Sequence, residues 1–232
     1  MKALLLTLLV VSLLPLRAAD APLNTLTDAE KAAGWKLLFD GKDASQSWRG
    51  YQKEGLSELW AVEDGALVLQ GKGGGNIVTR EQYESFEFSI DWKISEGGNS
   101  GIMFKVLEEN PQPWFTGPEV QIQDNVKGHD PQKAGWMYQL YAASVDTTKP
   151  AGEWNTFVLK CVKTPAGTFQ CEHWMNGTKY VAYEIGSAEW LEKVAASKFK
   201  DKPGFAKAAK GHICLQDHGN VVAFRNIKIR AF

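Results

Sequence analysis

The sequence predicts an all-β domain, two sheets packed as a jelly-roll sandwich, with a short N-terminal helix and one late helical insertion. Three observations carry this. Short segments of alternating polarity recur along the chain, separated by Gly, Asn, Asp and Pro turns. The stretch "SFEFSIDWKI" alternates throughout, with Phe86, Phe88, Ile90, Trp92 and Ile94 on one face and Glu87, Ser89, Asp91 and Lys93 on the other. Helical periodicity is confined to two places, and 232 residues suit one large domain.

Taken in order, Lys2 precedes the apolar run "ALLLTLLVVSLLPL" and the small-residue stretch "RAADAP". That pattern predicts a signal peptide over residues 1–19, cleaved between positions 18 and 21, and a periplasmic or secreted protein. The run is too short for a convincing span, so the mature chain is not expected to insert into a membrane. Residues 20–33 form an N-terminal segment in which Thr27-x-x-Glu30 is a capping box, starting a short helix that Gly34 ends. The domain then runs over 34–232. "LWAVEDGALVLQG" reads as strand, Asp64-Gly65 turn, strand. "GIMFKV", "EVQIQ", "WNTFVLKCV", "TFQCEHWMNG", "KYVAYEI", "GHICLQD" and "VVAFRNIKIRAF" add strands. In the last of these Phe224 and Ile227 break the alternation, which predicts a bulge near Arg225-Asn226. "SAEWLEKVAASKF" is the helical insertion, with Trp190, Val194 and Phe199 at helix-compatible spacing.

A formal net charge of −1 with no basic stripe argues against nucleic acid or an anionic membrane surface as partner. Nine tryptophans matter more, because Trp48, Trp114 and Trp136 sit in polar, turn-rich contexts where flat aromatic faces suit sugars. The three cysteines form neither a CxxC nor a metal cluster. Cys161 and Cys171 flank the turn "KTPAGT", and strand register decides whether they bridge; Cys214 is left over.

Alternation also assigns faces. If Val120 and Ile122 point to the core, Glu119, Gln121 and Gln123 share the outer side. In "GHICLQDHG", Ile213 and Leu215 go in, while His212, Cys214, Gln216 and His218 go out. In "NSGIMFKV", Ile102, Phe104 and Val106 go in, leaving Gly101, Met103 and Lys105 out. Three outer faces that are short or hydrogen-bonding describe a groove more than a solvated surface.

Over about Gly34 to Phe232 the ordered motifs "GWKLLFDGKD", "GNIVTREQYESFEFSIDWKISEGGNSGIMFKV", "WFTGPEVQIQDN", "KPAGEWN", "HWMNG" and "GHICLQDHGNVVAFRNIKIR" resemble the 3-keto-disaccharide hydrolase family. The resemblance implies a concanavalin-like jelly roll similar to laminarinase-type glycosidases. It further implies an exported enzyme that cleaves glycosides already oxidised at C3, and hence an upstream 3-dehydrogenating oxidoreductase. Laminarinase-type enzymes carry an E-x-D-x-x-E pattern on one strand, and here the similar stretch is Glu119-x-Gln121-x-x-Asp124. One carboxylate has become an amide, which weakens a paired-carboxylate mechanism. A 3-ketone instead acidifies the C2 proton, so that a base, an electrophile for the enolate and an acid for the leaving group suffice.

The catalytic candidates are Glu119, Asp124, His129 and His218. Glu119 is an acid or base whose pKa burial would raise; the two histidines are bases, proton shuttles or ligands. Gln121, Gln123 and Gln216 are candidates for sugar hydroxyls, and so is Asn99 in the turn "GGNSG". Trp114 and Trp136 are the stacking candidates, and Arg225 holds a ketone oxygen or pairs with Asp217 or Glu119. Asp124, His129, Asp130 and His218 would supply two carboxylates and two imidazoles to a divalent metal if their loops converge, but their spacing matches no metal motif; no cofactor is expected, with a divalent metal as the alternative. Two rivals stand beside the hydrolase: a non-catalytic carbohydrate-binding module, and a laminarinase-type endo-glycosidase.

Overall fold

A computed structural model describes residues 22–232; the expected signal peptide lies outside them. Two antiparallel sheets face each other. The larger runs β11 (Thr178–Ile185), β10 (Phe169–Met175), β9 (Asn155–Lys163), β6 (Phe86–Ile94), β13 (Val222–Ala231), β4 (Ala66–Leu69) and β3 (Trp60–Glu63), with β1 (Lys36–Leu37) also on β13. The smaller runs β2 (Trp48–Gly50), β5 (Ile77–Thr79), β12 (His212–Leu215), β7 (Asn99–Val106) and β8 (Glu119–Gln123). The helices are α1 (Asp28–Ala32) and α2 (Ala188–Ala196).

Alternation builds the core between the sheets. Phe86, Phe88, Ile90, Trp92 and Ile94 of β6 meet Ile102, Phe104, Val120, Ile122, Ile213 and Leu215 from the smaller sheet. All are essentially excluded from water, and each large side chain so buried contributes about 1.5–3 kcal/mol. The helix at the start has the expected capping box, Thr27 with Glu30. Asp64 and Gly65 both take positive φ, which the tight β3–β4 hairpin requires. β13 shifts register between Arg225 and Lys228, where Asn226 is left-handed. Cys161 and Cys171 are register partners across β9 and β10, as free thiols with their Sγ atoms 3.0 Å apart.

The strand β7 departs from strict alternation. Lys105 was expected outside and Val106 inside; the structure reverses both. One extra residue of β7 opposes β12, and Lys105 adopts φ 56°. This bulge swings Lys105 inward, where its Nζ donates to the carbonyls of Ala208 (2.9 Å) and Ala209 (3.0 Å) and lies over the Phe169 ring. Val106 instead joins Met103, Cys214, Val78 and Tyr51 in a small apolar cluster on the outer face of the smaller sheet.

The insertion α2 is pinned by aromatic stacking. Trp190 lies against Tyr183 of β11 (5.3 Å between ring centres), Tyr141 and Phe205, and Phe205 stacks on Phe199 at 4.0 Å. Ser187 caps the helix through the Trp190 amide. Among the described residues no helix is long and apolar enough to cross a membrane.

Candidate active site

A cavity of about 240 Å³ opens on the outer face of the smaller sheet, lined by Asn99, Trp114, Glu119, Gln121, Asp130, Tyr138, Lys198, Gln216 and His218. Strand geometry explains the floor: Glu119 and Gln121 are alternate residues of β8, and Val120 and Ile122 on the opposite face hold the strand to the core. Gln216 leaves the end of β12 with its amide donating to the Gly101 carbonyl and its own carbonyl accepting from the Ser100 hydroxyl. Gly101 of β7 leaves space for Glu119, since a Cβ there would fall on the Glu119 carboxylate.

Burial pushes the Glu119 carboxyl up to about 7, offset in part by the Lys198 charge and the Gln216 amide. Around it, three buried side-chain atoms have no partner among the described residues: Asn99 Oδ1, Gln121 Nε2 and Gln216 Oε1. Unpaired polar atoms at a cavity wall are costly unless water or a ligand takes them up. On the loop wall, Tyr138 donates its hydroxyl hydrogen to Asp130 Oδ2 at 2.8 Å, and Asp130 Oδ1 accepts the Gln132 amide. Burial and the Asp130 carboxylate raise the Tyr138 phenol to about 12. Asp130 is therefore engaged through both oxygens, as an acceptor that orients Tyr138.

Lys198 enters from the end of the insertion. It stands between Ser197, which caps α2 and bonds the Phe199 amide, and Phe199, which is fully buried. Its Nζ lies 4.2 Å from the Tyr138 ring centre and 5.7 Å from that of Trp114. His218 is exposed at the rim and also borders an open cleft formed by Lys72, Gly73, Gly75, Asp217 and Gly219. Asp217 Oδ2 accepts the amides of Gly73 and Gly75 and so braces that cleft.

The structure thus brings together Glu119, Gln121, Asn99, Trp114, Gln216 and His218 from the expected set. It separates the others. Asp124 bonds the amides of Gly97 and Val126 and holds a turn. Gln123 is a loop staple, its Nε2 donating to the carbonyls of Asp130 and Gln132. His129 is exposed on the loop beside the cavity and is not among its lining residues. Trp136 borders a different depression with Gln132 and Tyr141, because the segment after β8 folds back along that strand's edge. Arg225 sits on the far sheet, stacked on Trp154 at 4.1 Å and 3.5 Å from Asp91. It reaches neither Asp217 nor Glu119 because β13 is central in the larger sheet. Sequence reasoning gave Asp130 only a metal-ligand role and missed Tyr138 and Lys198, which come from irregular segments without a period to read. Among the described residues no three His, Cys, Asp or Glu side chains cluster as metal ligands.

Residues 34–230 match the model of the 3-keto-alpha-glucoside-1,2-lyase-like domain. A 3-keto-disaccharide hydrolase of Bacteroides thetaiotaomicron is 30% identical, the alignment covering 93% of this chain and 83% of that protein. A Parabacteroides distasonis crystal structure, solved as a candidate glycosyl hydrolase, superimposes with a TM-score of 0.81 at 35% identity, over 91% of this chain and 100% of that one. A second structure from the same species, also a candidate glycosyl hydrolase, gives 0.63 at 28% identity, over 85% and 99%.

Proposed function

The chain belongs to the 3-keto-alpha-glucoside-1,2-lyase-like family, and we propose that it hydrolyses the glycosidic bond of 3-keto-glucosides and 3-keto-disaccharides by elimination followed by hydration. The observation that carries this is the single carboxyl poised near neutrality, Glu119, ringed by three unpartnered amide atoms. A base titrating at about 7 suits removal of a proton made acidic by an adjacent ketone.

In this reading Asn99, Gln121 and Gln216 take the sugar hydroxyls and Trp114 covers a ring face. Glu119 removes the C2 proton, while Lys198 stands at the C3 carbonyl, where negative charge develops. The C1–oxygen bond breaks, and His218 at the rim protonates the departing oxygen, which leaves through the adjoining cleft. Water adds to C1 of the enone, Glu119 returns a proton to C2, and the 3-keto sugar is released. Asp130, bonded through both oxygens, is a poor nucleophile, which weighs against a paired-carboxylate glycosidase. The leader at residues 1–19 sends the protein to the periplasm or beyond, and an oxidoreductase acting at C3 supplies the substrate.

Purified protein incubated with a 3-keto-disaccharide in D2O is expected to release both sugars and place deuterium at C2 of the keto sugar. Release without deuterium beyond the uncatalysed exchange removes the elimination route. No release, with binding of the unoxidised glycan, converts the protein into a binding module.

A further inference from the structure

Lys198 has an unusual placement for a surface-derived lysine. It lines the cavity with Glu119 and Asp130, yet among the described residues its Nζ forms neither an ion pair nor a hydrogen bond with them. Two buried neighbours, Ser197 and Phe199, clamp its backbone, and the aromatic rings of Tyr138 and Trp114 flank its head. Lys198 is exposed to solvent overall, and its amine reaches the cavity wall without a hydrogen-bond partner among the described residues, so a ketone bound there would meet a nucleophile as well as a charge.

We propose that Lys198 attacks the C3 ketone of the substrate and carries the elimination as a covalent iminium. This rests on the 3-keto-glycoside reading above. The neutral Nζ bonds to C3 as the carbonyl π bond breaks, and the carbinolamine loses water to give a protonated iminium. Glu119 then takes the C2 proton, leaving an enamine. Collapse of the enamine expels the C1 oxygen substituent, which leaves with a proton from His218, and yields an unsaturated iminium. Water adds at C1, Glu119 returns the proton to C2, and a second water hydrolyses the iminium to free the ketone and the amine. One water is consumed overall and no oxidant or reductant is needed.

Burial lowers the Lys198 pKa while the charges of Glu119 and Asp130 oppose that fall. The ammonium sheds its proton to solvent, to which Lys198 is open, and Glu119 stays free to take the C2 proton. An iminium is a stronger electron sink than a ketone polarised by a nearby cation, so it acidifies C2 further.

The test is reductive trapping. Wild-type protein turning over a 3-keto-glucoside with cyanoborohydride is expected to gain one keto-sugar-derived adduct, located on Lys198 by peptide mass spectrometry, and to lose activity irreversibly. Lys198→Arg keeps the charge but forms no iminium. It is expected to lose kcat by roughly a hundredfold or more, with an unchanged thermal midpoint and retained binding of the unoxidised glycoside. Turnover with no adduct, or an arginine variant within a fewfold of wild type, overturns the covalent step and leaves elimination standing. Failure of the wild type to release sugar overturns both.

Discussion

Replacing Glu119 by Gln tests the site through stability and catalysis at once. Glu119 is 6% exposed and burial raises its carboxyl from 4.5 to about 7. A folded-state pKa above the unfolded one means that the folded chain holds the extra proton between those two values. Stability from this group is therefore complete below about 4.5, falls as pH rises, and is lost above about 7. A shift of that size corresponds to roughly 3 kcal/mol at 1.36 kcal/mol per unit. Gln keeps the shape and stays neutral. Glu119→Gln is thus expected to match wild type near pH 4.5 and to exceed it at pH 8 by up to roughly 3 kcal/mol. For a domain of this size that is about 6–12 °C in Tm. Over the same range kcat/KM of wild type should rise with pH through about 7, since the base works deprotonated. The variant should lose about 10²–10⁴-fold in kcat. Differential scanning fluorimetry across pH, paired with sugar release, gives both readings. A variant no more stable than wild type at pH 8, or one that retains activity, refutes the assignment of Glu119 as a buried base.

Other outcomes follow from the same contacts. Gly101→Ala places a methyl group against the Glu119 carboxylate; kcat should fall at least tenfold, by the rough cost of a misplaced reacting group, with about 1–3 kcal/mol of destabilisation from overpacking, read by kinetics and urea unfolding. Asp124 is held below its usual range by the amides of Gly97, Val126 and Lys127 acting against its own burial. Asp124→Ala should cost about 1–3 kcal/mol at pH 7 with KM little changed, and the difference should shrink as pH falls from 3.8, where the unfolded carboxylate takes up its proton, through the lower pH at which the folded one does. Cys161, Cys171 and Cys214 are fully buried, and burial raises the thiols of Cys171 and Cys214. With the thiols kept reduced, iodoacetamide should therefore leave the native protein unlabelled and modify all three only in denaturant; rapid native labelling would contradict their placement.

What could be read beforehand depended on period. The face of β8 that carries Glu119 and Gln121 follows from two-residue alternation, because a one-residue slip would drag Val120 and Ile122 into water. The same rule misplaced Lys105 and Val106, since a bulge adds a residue that alternation does not count. Gln123 lay on the right face of β8 but at its end, where a returning loop captures the amide. Arg225 drew attention by its chemistry alone, and chemistry does not say which of two sheets a strand joins. Lys198, Asp130 and Tyr138 lie in coil, where placement comes from long-range packing. The family resemblance named the substrate class without naming these residues, because its motifs are dominated by strands and turns.

The stacked rings of Tyr183, Trp190, Phe205 and Phe199 do more than fasten an appended helix. They make the site's lysine the far end of a rigid aromatic column rooted in β11, an edge strand of the opposite sheet. The position of Lys198 at the cavity is therefore indexed to packing that lies outside the cavity. Exchanging the insertion for that of a relative would transplant a catalytic setting only if the column's partners on β11 travelled with it.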